Sequence, residues 1–270
     1  MSGYSCQILA DSVNPIGQRV TTVQIRLPLV VWAEFMTHRT FSRNARSNRA
    51  VPSRVLIGEV LRNPFVPEFW GRNKSGMQAG AELTGVRRWI ARKTWLWARY
   101  PAIAAAWVMS RAGLHKQDAN RVLNPWQWID AVVTAGEAEW QAFFALRCHE
   151  LADPKIQRIA EMIWAEIEDS VPVELQWGQW HTPYYPGAIW GAYRHASAGA
   201  CARVSYRSFD GTHDVQANEK LAKRLIDEKP AHASFSPIPL EHVLQASKID
   251  NKQPGPVNGM WRSLRQIEGV

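Results

Sequence analysis

A chain of 270 residues with 46% hydrophobic and 21% charged side chains can bury a full core, and that balance excludes a disordered or fibrous protein. Its 32 Lys and Arg against 24 Asp and Glu leave a formal charge of +8, which favours anionic partners without separating nucleic acid from small phosphorylated ligands. Cys6, Cys148 and Cys201 are scattered and form no CxxC pair, so neither a disulfide framework nor a metal site is expected, and a reducing cytoplasm fits. The start, Met-Ser-Gly-Tyr-Ser-Cys-Gln, carries no basic-then-apolar signal, and no apolar run approaches the roughly 18 residues of a membrane span, so neither secretion nor membrane insertion is expected.

Residues 7–10 read as a short strand, and Asn14-Pro15-Ile16-Gly17 as a turn. From Thr21 to Leu27, Val23, Ile25 and Leu27 alternate with Thr22, Gln24 and Arg26, the pattern of a half-buried strand, which ends at Pro28. Val30, Val31, Trp32, Phe35 and Met36 then recur at helical spacing and predict a helix that delivers His38 and Arg39 at its end. After it, Arg39, Ser42, Asn44, Arg46, Ser47 and Arg49 gather fork-shaped cations, hydroxyls and an amide, which suits a ligand rich in phosphate and carbonyl oxygens. Composition alone reads the same run as a solvated face or a nucleic-acid patch.

A short helix is expected over Val55 to Leu61, then an irregular crossing through Pro64, Pro67, Gly71 and Gly76. Ala79 to Ser110 reads as a long helical region interrupted at Pro101, with Trp89, Trp95, Trp97 and Trp107 placed for burial in a core or a subunit contact. Trp126 to Val133 is a buried strand or the start of a helix. Glu139 to Leu146 is amphipathic and closes on Arg147, Cys148 and His149, and Ile156 to Ile167 is a second amphipathic helix. Trp177 to Trp190 reads as a loop, and His181 and His195 as ordinary polar residues. A helix is expected from Gln216 to Asp227, and only Asp250 to Asn258 looks like a linker.

His38-Arg39, seven further residues and Ser47, with Asn44 and Arg49 at their spacing, resembles the signature of the flavin-dependent thymidylate synthases, usually written Arg-His-Arg, seven residues, Ser. Thr37 replaces the first Arg, Ala45 a usual Glu and Asn48 a usual Gly; phage-encoded relatives carry a Met-Thr-His-Arg style of the same signature. Arg121, before Leu123-Asn124-Pro125, and Arg147, after an apolar helix, match two nucleotide-binding arginines of the family, while the segment between them lacks the family's flavin-binding Asn and Arg. Cys201-Ala-Arg-Val-Ser-Tyr206, a helix, His232, Ser236-Pro237 and Leu240-Glu241-His242 resemble a segment that comes first in most of the family. Here it comes last, which implies a circular permutation.

The resemblance implies one α+β domain over residues 1–270, an antiparallel sheet flanked by helices: residues 1–54 supply the strand and the signature, 79–170 the helical part, and 200–245 the equivalent of the family's N-terminal part. It implies FAD as cofactor, methylenetetrahydrofolate as one-carbon donor and NADPH as reductant. His38, Arg39, Asn44, His232 and Ser234 or Ser236 would face the flavin; Glu34, Ser47, Arg49, Arg121 and Arg147 would hold a pyrimidine deoxynucleotide, with Ser47, Arg49 and Arg147 at the chemistry. A homotetramer with shared active sites, in the cytoplasm of a cell or of a phage host, is implied as well. The altered signature leaves two products open, methylation of dUMP to dTMP and hydroxymethylation of dUMP or dCMP. A basic nucleic-acid-binding protein without flavin, and a structural protein with a degenerate site, are the readings of another class.

Overall fold

The computed structural model describes residues 3–205, 214–227, 239–251 and 259–269. Strands β1 (Ser5–Val13) and β2 (Arg19–Pro28) form an antiparallel hairpin. Its turn is built by Asn14, whose Oδ1 accepts from the backbone N–H of Gln18 at 2.9 Å, and by Gly17 at φ +82°, a conformation that costs a residue without Cβ little. A 3-10 turn, Leu29–Val31, leads into α1 (Trp32–Phe35), followed by β3 (Ser42–Ala45), α2 (Ser53–Arg62), α3 (Gly85–Arg111) and α4 (Lys116–Ala119). A 3-10 segment, Asn120–Trp126, precedes β4 (Trp128–Gly136), α5 (Glu137–Arg147) and α6 (Pro154–Asp169). Then come β5 (Val173–Glu174), β6 (Trp180–His181), α7 (Arg194–Arg203), α8 (Val215–Asp227), β7 (Leu244–Asn251), β8 (Gly259–Ser263) and α9 (Leu264–Glu268).

The main sheet runs β3-β4-β2-β1-β5, antiparallel except for the short β1–β5 pair, and a second, antiparallel sheet runs β6-β7-β8. Alternation along β2 sorts the two faces of the main sheet. Val23, Ile25 and Leu27 join Ala131, Val133 and Ala135 of β4 on one face, where Trp140 and Phe143 of α5 and Ile156, Ile159 and Ile163 of α6 close a buried core. Thr22, Thr134 and Val132 point to the other face, against α7 and β6. Helix α7 can approach closely because Ala196 to Ala202 is a run of small residues. A Cβ on Gly199 would lie 2.0 Å from the carbonyl oxygen of Asn218 in α8. The α+β arrangement of sheet and flanking helices agrees with the expectation from sequence.

Several local expectations change. The helix before His38 is only the 3-10 turn and the single turn α1, so Val31 and Phe35 are buried while Val30 is exposed. The arginine run contains a strand, β3, which its charge concealed; β4 supplies the pairing partner. Trp126 to Val133 is strand rather than helix from Trp128 onward. Pro101 does not break α3, which is continuous through it, and Trp89, Trp97 and Trp107 are exposed rather than buried; Trp95 alone of the four packs inward, on Phe65 and Trp126.

Candidate active site

Arg147 ends α5 and reaches back to the turn that follows α1. Its Nε donates to His38 Nε2 at 2.9 Å and its Nη2 to Thr37 Oγ1 at 3.1 Å, with the Glu34 carbonyl at 3.4 Å. An arginine on Nε2 makes that nitrogen the acceptor, so neutral His38 carries its proton on Nδ1. Burial, then the Arg147 and Arg43 cations, pushes His38 down to about 4, and the ring is neutral at pH 7. Stacking over Phe41 and an edge contact with Phe143 fix its plane. Arg43 Nη1 also donates to the His38 carbonyl. Thr37, where the resembled signature has an Arg, thus becomes a seat for Arg147. Glu34 is half-buried and its carboxyl lies above its ordinary range, through burial and the nearby Asp153, partly offset by Arg147 and Lys155.

Not all of the run that follows is free for a ligand. Arg46 makes a two-pronged ion pair with Glu59 at 2.8 and 2.9 Å, and its backbone N–H donates to the Asp130 carbonyl. Asn44 is 2% exposed; its amide donates to the Cys201 carbonyl at 2.7 Å and accepts from the Ser205 hydroxyl at 2.9 Å. Asn44 therefore ties β3 to the end of α7, on the face opposite His38. Ser47 accepts from the Arg49 backbone N–H, and Asn120 clamps the same loop by donating to the carbonyls of Asn48 and Val51. That clamp sets Arg121 beside the Arg49 loop. Arg39, Arg49 and Arg121 are exposed, and among the described residues their side chains have no hydrogen bond or ion pair.

The candidate residues fall into two groups. His38, Thr37, Glu34 and Arg147 meet at one end of β3, and Ser47, Arg49 and Arg121 gather beyond the other, a strand length of roughly 13 Å away. His232, Ser234 and Ser236 lie outside the described residues. Burial raises all three cysteine thiols, so none is a ready thiolate.

A buried polar chain escaped the sequence reading. Ser12 Oγ, His181 Nδ1, His181 Nε2, Thr22 Oγ1, Thr134 Oγ1 and His242 Nδ1 are linked in that order by hydrogen bonds of 2.9, 2.8, 2.6 and 2.8 Å. His181, read as an ordinary polar residue, is a fully buried strand residue, and His242 Nε2 is buried with no partner among the described residues. The polar side of the β2 alternation was the available signal, but only the β2–β4 register sets Thr22 opposite Thr134.

The profile of a family described as thymidylate synthase complementing protein matches residues 11–173, more than half of the chain. The chain belongs to that family. The matched stretch contains the signature, Arg121 and Arg147 of this family member. Its fold is similar to a UMP/dUMP methylase, PolB, from Streptomyces cacaoi bound with 5-Br UMP, at a TM-score of 0.52 and 17% identity, covering 62% of this chain and 90% of that one. The same protein bound with 5-Br dUMP gives a TM-score of 0.50 and 15% identity, with 61% and 91% covered. No curated protein matches the chain. Family membership supports the coarse assignment of a transferase that places a one-carbon unit on a pyrimidine nucleotide. Among the described residues, no helix is long and apolar enough to cross a membrane.

Proposed function

We propose that this family member transfers a one-carbon unit from methylenetetrahydrofolate to C5 of dUMP and reduces it to the methyl group of dTMP, using FAD, with NADPH as the source of reducing equivalents. The observation that carries this reading is the family match over residues 11–173, which includes both groups of candidate residues. The donor set suits such ligands. Arg39, Arg49 and Arg121 are exposed guanidinium groups whose side chains lack partners among the described residues, as phosphate recognition requires. Arg43 Nε, on the His38 side of β3, is buried with no hydrogen bond among the described residues, and a ligand group would relieve a penalty of about 1–3 kcal/mol there. His38 and Arg39 then face the flavin, while Asn44 shapes the wall behind it. Bound there, the flavin supplies the hydride that completes the methyl group.

The residues' own tasks are orientation and charge. Ser47, Arg49 and Arg121 hold the nucleotide phosphate, and Arg147 holds the base. Making C5 nucleophilic moves negative charge onto the ring carbonyls, and a fixed cation lowers the cost of that charge. His38 serves this by accepting from Nε of Arg147, which leaves the guanidinium its full charge and fixes its plane. No cysteine nucleophile is needed, in keeping with the raised thiols. Residues 200–245 fill the place of the family's N-terminal segment through a circular permutation; the Asn44 bonds to Cys201 and Ser205, and the Thr134 bond to His242, support this.

The test is to offer dUMP and dCMP separately with methylenetetrahydrofolate, with and without NADPH, and to weigh the products. A methylated dUMP that requires NADPH supports the proposal. A hydroxymethylated product removes the reductive step, and no product from either nucleotide refutes the reading.

A further inference from the structure

The largely buried guanidinium groups on the main sheet are paired with carboxylates, with one exception. Arg19 meets Asp11, Arg26 meets Asp130, and Arg46, just past β3, meets Glu59. Arg43 of β3 is half-buried, and among the described residues it has no carboxylate partner. Its one hydrogen bond there runs from Nη1 to the His38 carbonyl. Nε, which is buried, and the neighbouring Nη2 have no partner among the described residues. Together they form the edge of a guanidinium that fits two oxygens of one anion. Arg19 uses this edge on Asp11, at 3.0 and 2.7 Å. Arg147 spends its own on His38 Nε2 and Thr37 Oγ1. The edge of Arg43 is unspent.

Charge points the same way. Arg43 and Arg147 both act on the neutral His38 ring, and exposed Arg39 is next in the chain. Glu34, its carboxyl raised by burial, is the acid that bears on Arg147. Three cations around one turn, partly withdrawn from water, favour an anion that completes them. The usual signature places a further cation at position 37. Thr37 has none and instead receives Arg147, while Arg43 brings a cation back to the same turn. On the proposed function the nucleotide phosphate is not that anion, because Ser47, Arg49 and Arg121 hold it beyond the other end of β3, roughly 13 Å away. A second phosphorylated ligand is required.

We propose that Arg43 is a phosphate receptor whose Nε and Nη2 edge holds the diphosphate of the dinucleotide flavin. This inference deepens the proposed function and rests on it. Its test reads binding rather than turnover. Flavin fluorescence titrations of the full chain, freed of any copurifying flavin, compare FAD with riboflavin, and calorimetry gives the affinity for dUMP. Arg43→Gln keeps a neutral donor and removes the charge, whereas Arg43→Lys keeps the charge without the two-pronged edge. The Gln variant should bind FAD about ten- to a hundredfold more weakly than the native chain, with the Lys variant between them. Riboflavin, which carries no phosphate, should bind native and variant chains alike, and so should dUMP. Circular dichroism confirms that each variant folds. Equal FAD affinity in Arg43→Gln overturns the proposal, and so does an equal loss for riboflavin, which marks a merely structural arginine. A loss for dUMP with FAD unchanged assigns Arg43 to the nucleotide and overturns it as well. A native chain that binds no flavin removes the proposed function together with this inference; FAD binding that is intact in native and variant alike removes the inference alone.

Discussion

Acidification from about pH 7 to about pH 5.5 acts first on the buried polar chain. His181 and His242 are fully buried; burial pushes His181 down to about 4, opposed by Asp11, and His242 down to about 3, assisted by His181. In the unfolded chain both titrate near 6.5. Between those values the unfolded state binds more protons, so stability is complete above about 6.5 and is lost as the pH falls toward 4. At pH 5.5 each histidine removes about 1 kcal/mol relative to pH 7, about 2 kcal/mol for the pair, against a typical total of about 5–15 kcal/mol. Half-buried His38 adds in the same direction. Burial raises the carboxyls of Glu34, Asp130 and Glu241, which has the opposite sign and is common to the native chain and the histidine variant. Urea unfolding followed by tryptophan fluorescence at half-unit pH steps measures the slope. The double variant His181→Gln, His242→Gln should lose most of it. A flat native profile, or an undiminished slope in the variant, would refute the assignment of neutral, buried imidazoles.

Arg147→Ala removes the cation on His38 and one nucleotide contact, so turnover should fall about ten- to a hundredfold while the His38 titration, followed by NMR, moves up; an unmoved His38 would show that the pair is not formed in solution. Arg49→Ala should raise the apparent dissociation constant for nucleotide by a similar factor and leave melting unchanged within about 1 °C, because the exposed side chain has no partner among the described residues. Asn44→Ala leaves Ser205 and the Cys201 carbonyl without their buried partner and should cost about 1–3 kcal/mol in urea unfolding; a loss below about 0.5 kcal/mol would mean that this tie does not hold β3 to α7. Gly199→Ala should cost at least as much, since its Cβ meets the Asn218 backbone.

The parts of the fold that follow from period were legible in the chain. The alternation through Val23, Ile25 and Leu27 gave β2, and the stripe Ile156, Ile159, Ala160, Ile163 and Ile167 gave α6, because one buried face fixes each pattern. Strand β3 was not legible, since Ser42-Arg43-Asn44-Ala45 has neither apolar alternation nor strong strand propensity and is held as a strand by β4. The same cause hid the site's division. Spacing in the chain placed His38, Asn44 and Arg49 in one motif, but β3 sends His38 and Asn44 to opposite faces of the sheet and carries Arg49 a strand length away. Arg46 looked like a ligand contact because Glu59 and Asp130, its partners, come from α2 and β4. Which tryptophans of α3 join the chain's own core was hidden for a different reason: a doubly amphipathic helix gives no signal as to which stripe faces that core.

The central claim is that a flavin held by this chain delivers the hydride that completes a methyl group on dUMP. It is tested most directly by a single turnover without oxygen, in which the NADPH-reduced enzyme is mixed with dUMP and methylenetetrahydrofolate while flavin absorbance and product are followed together. The account predicts flavin oxidation in step with dTMP formation, one for one. Product formed while the flavin stays reduced, or a protein that neither retains nor binds FAD, would contradict it.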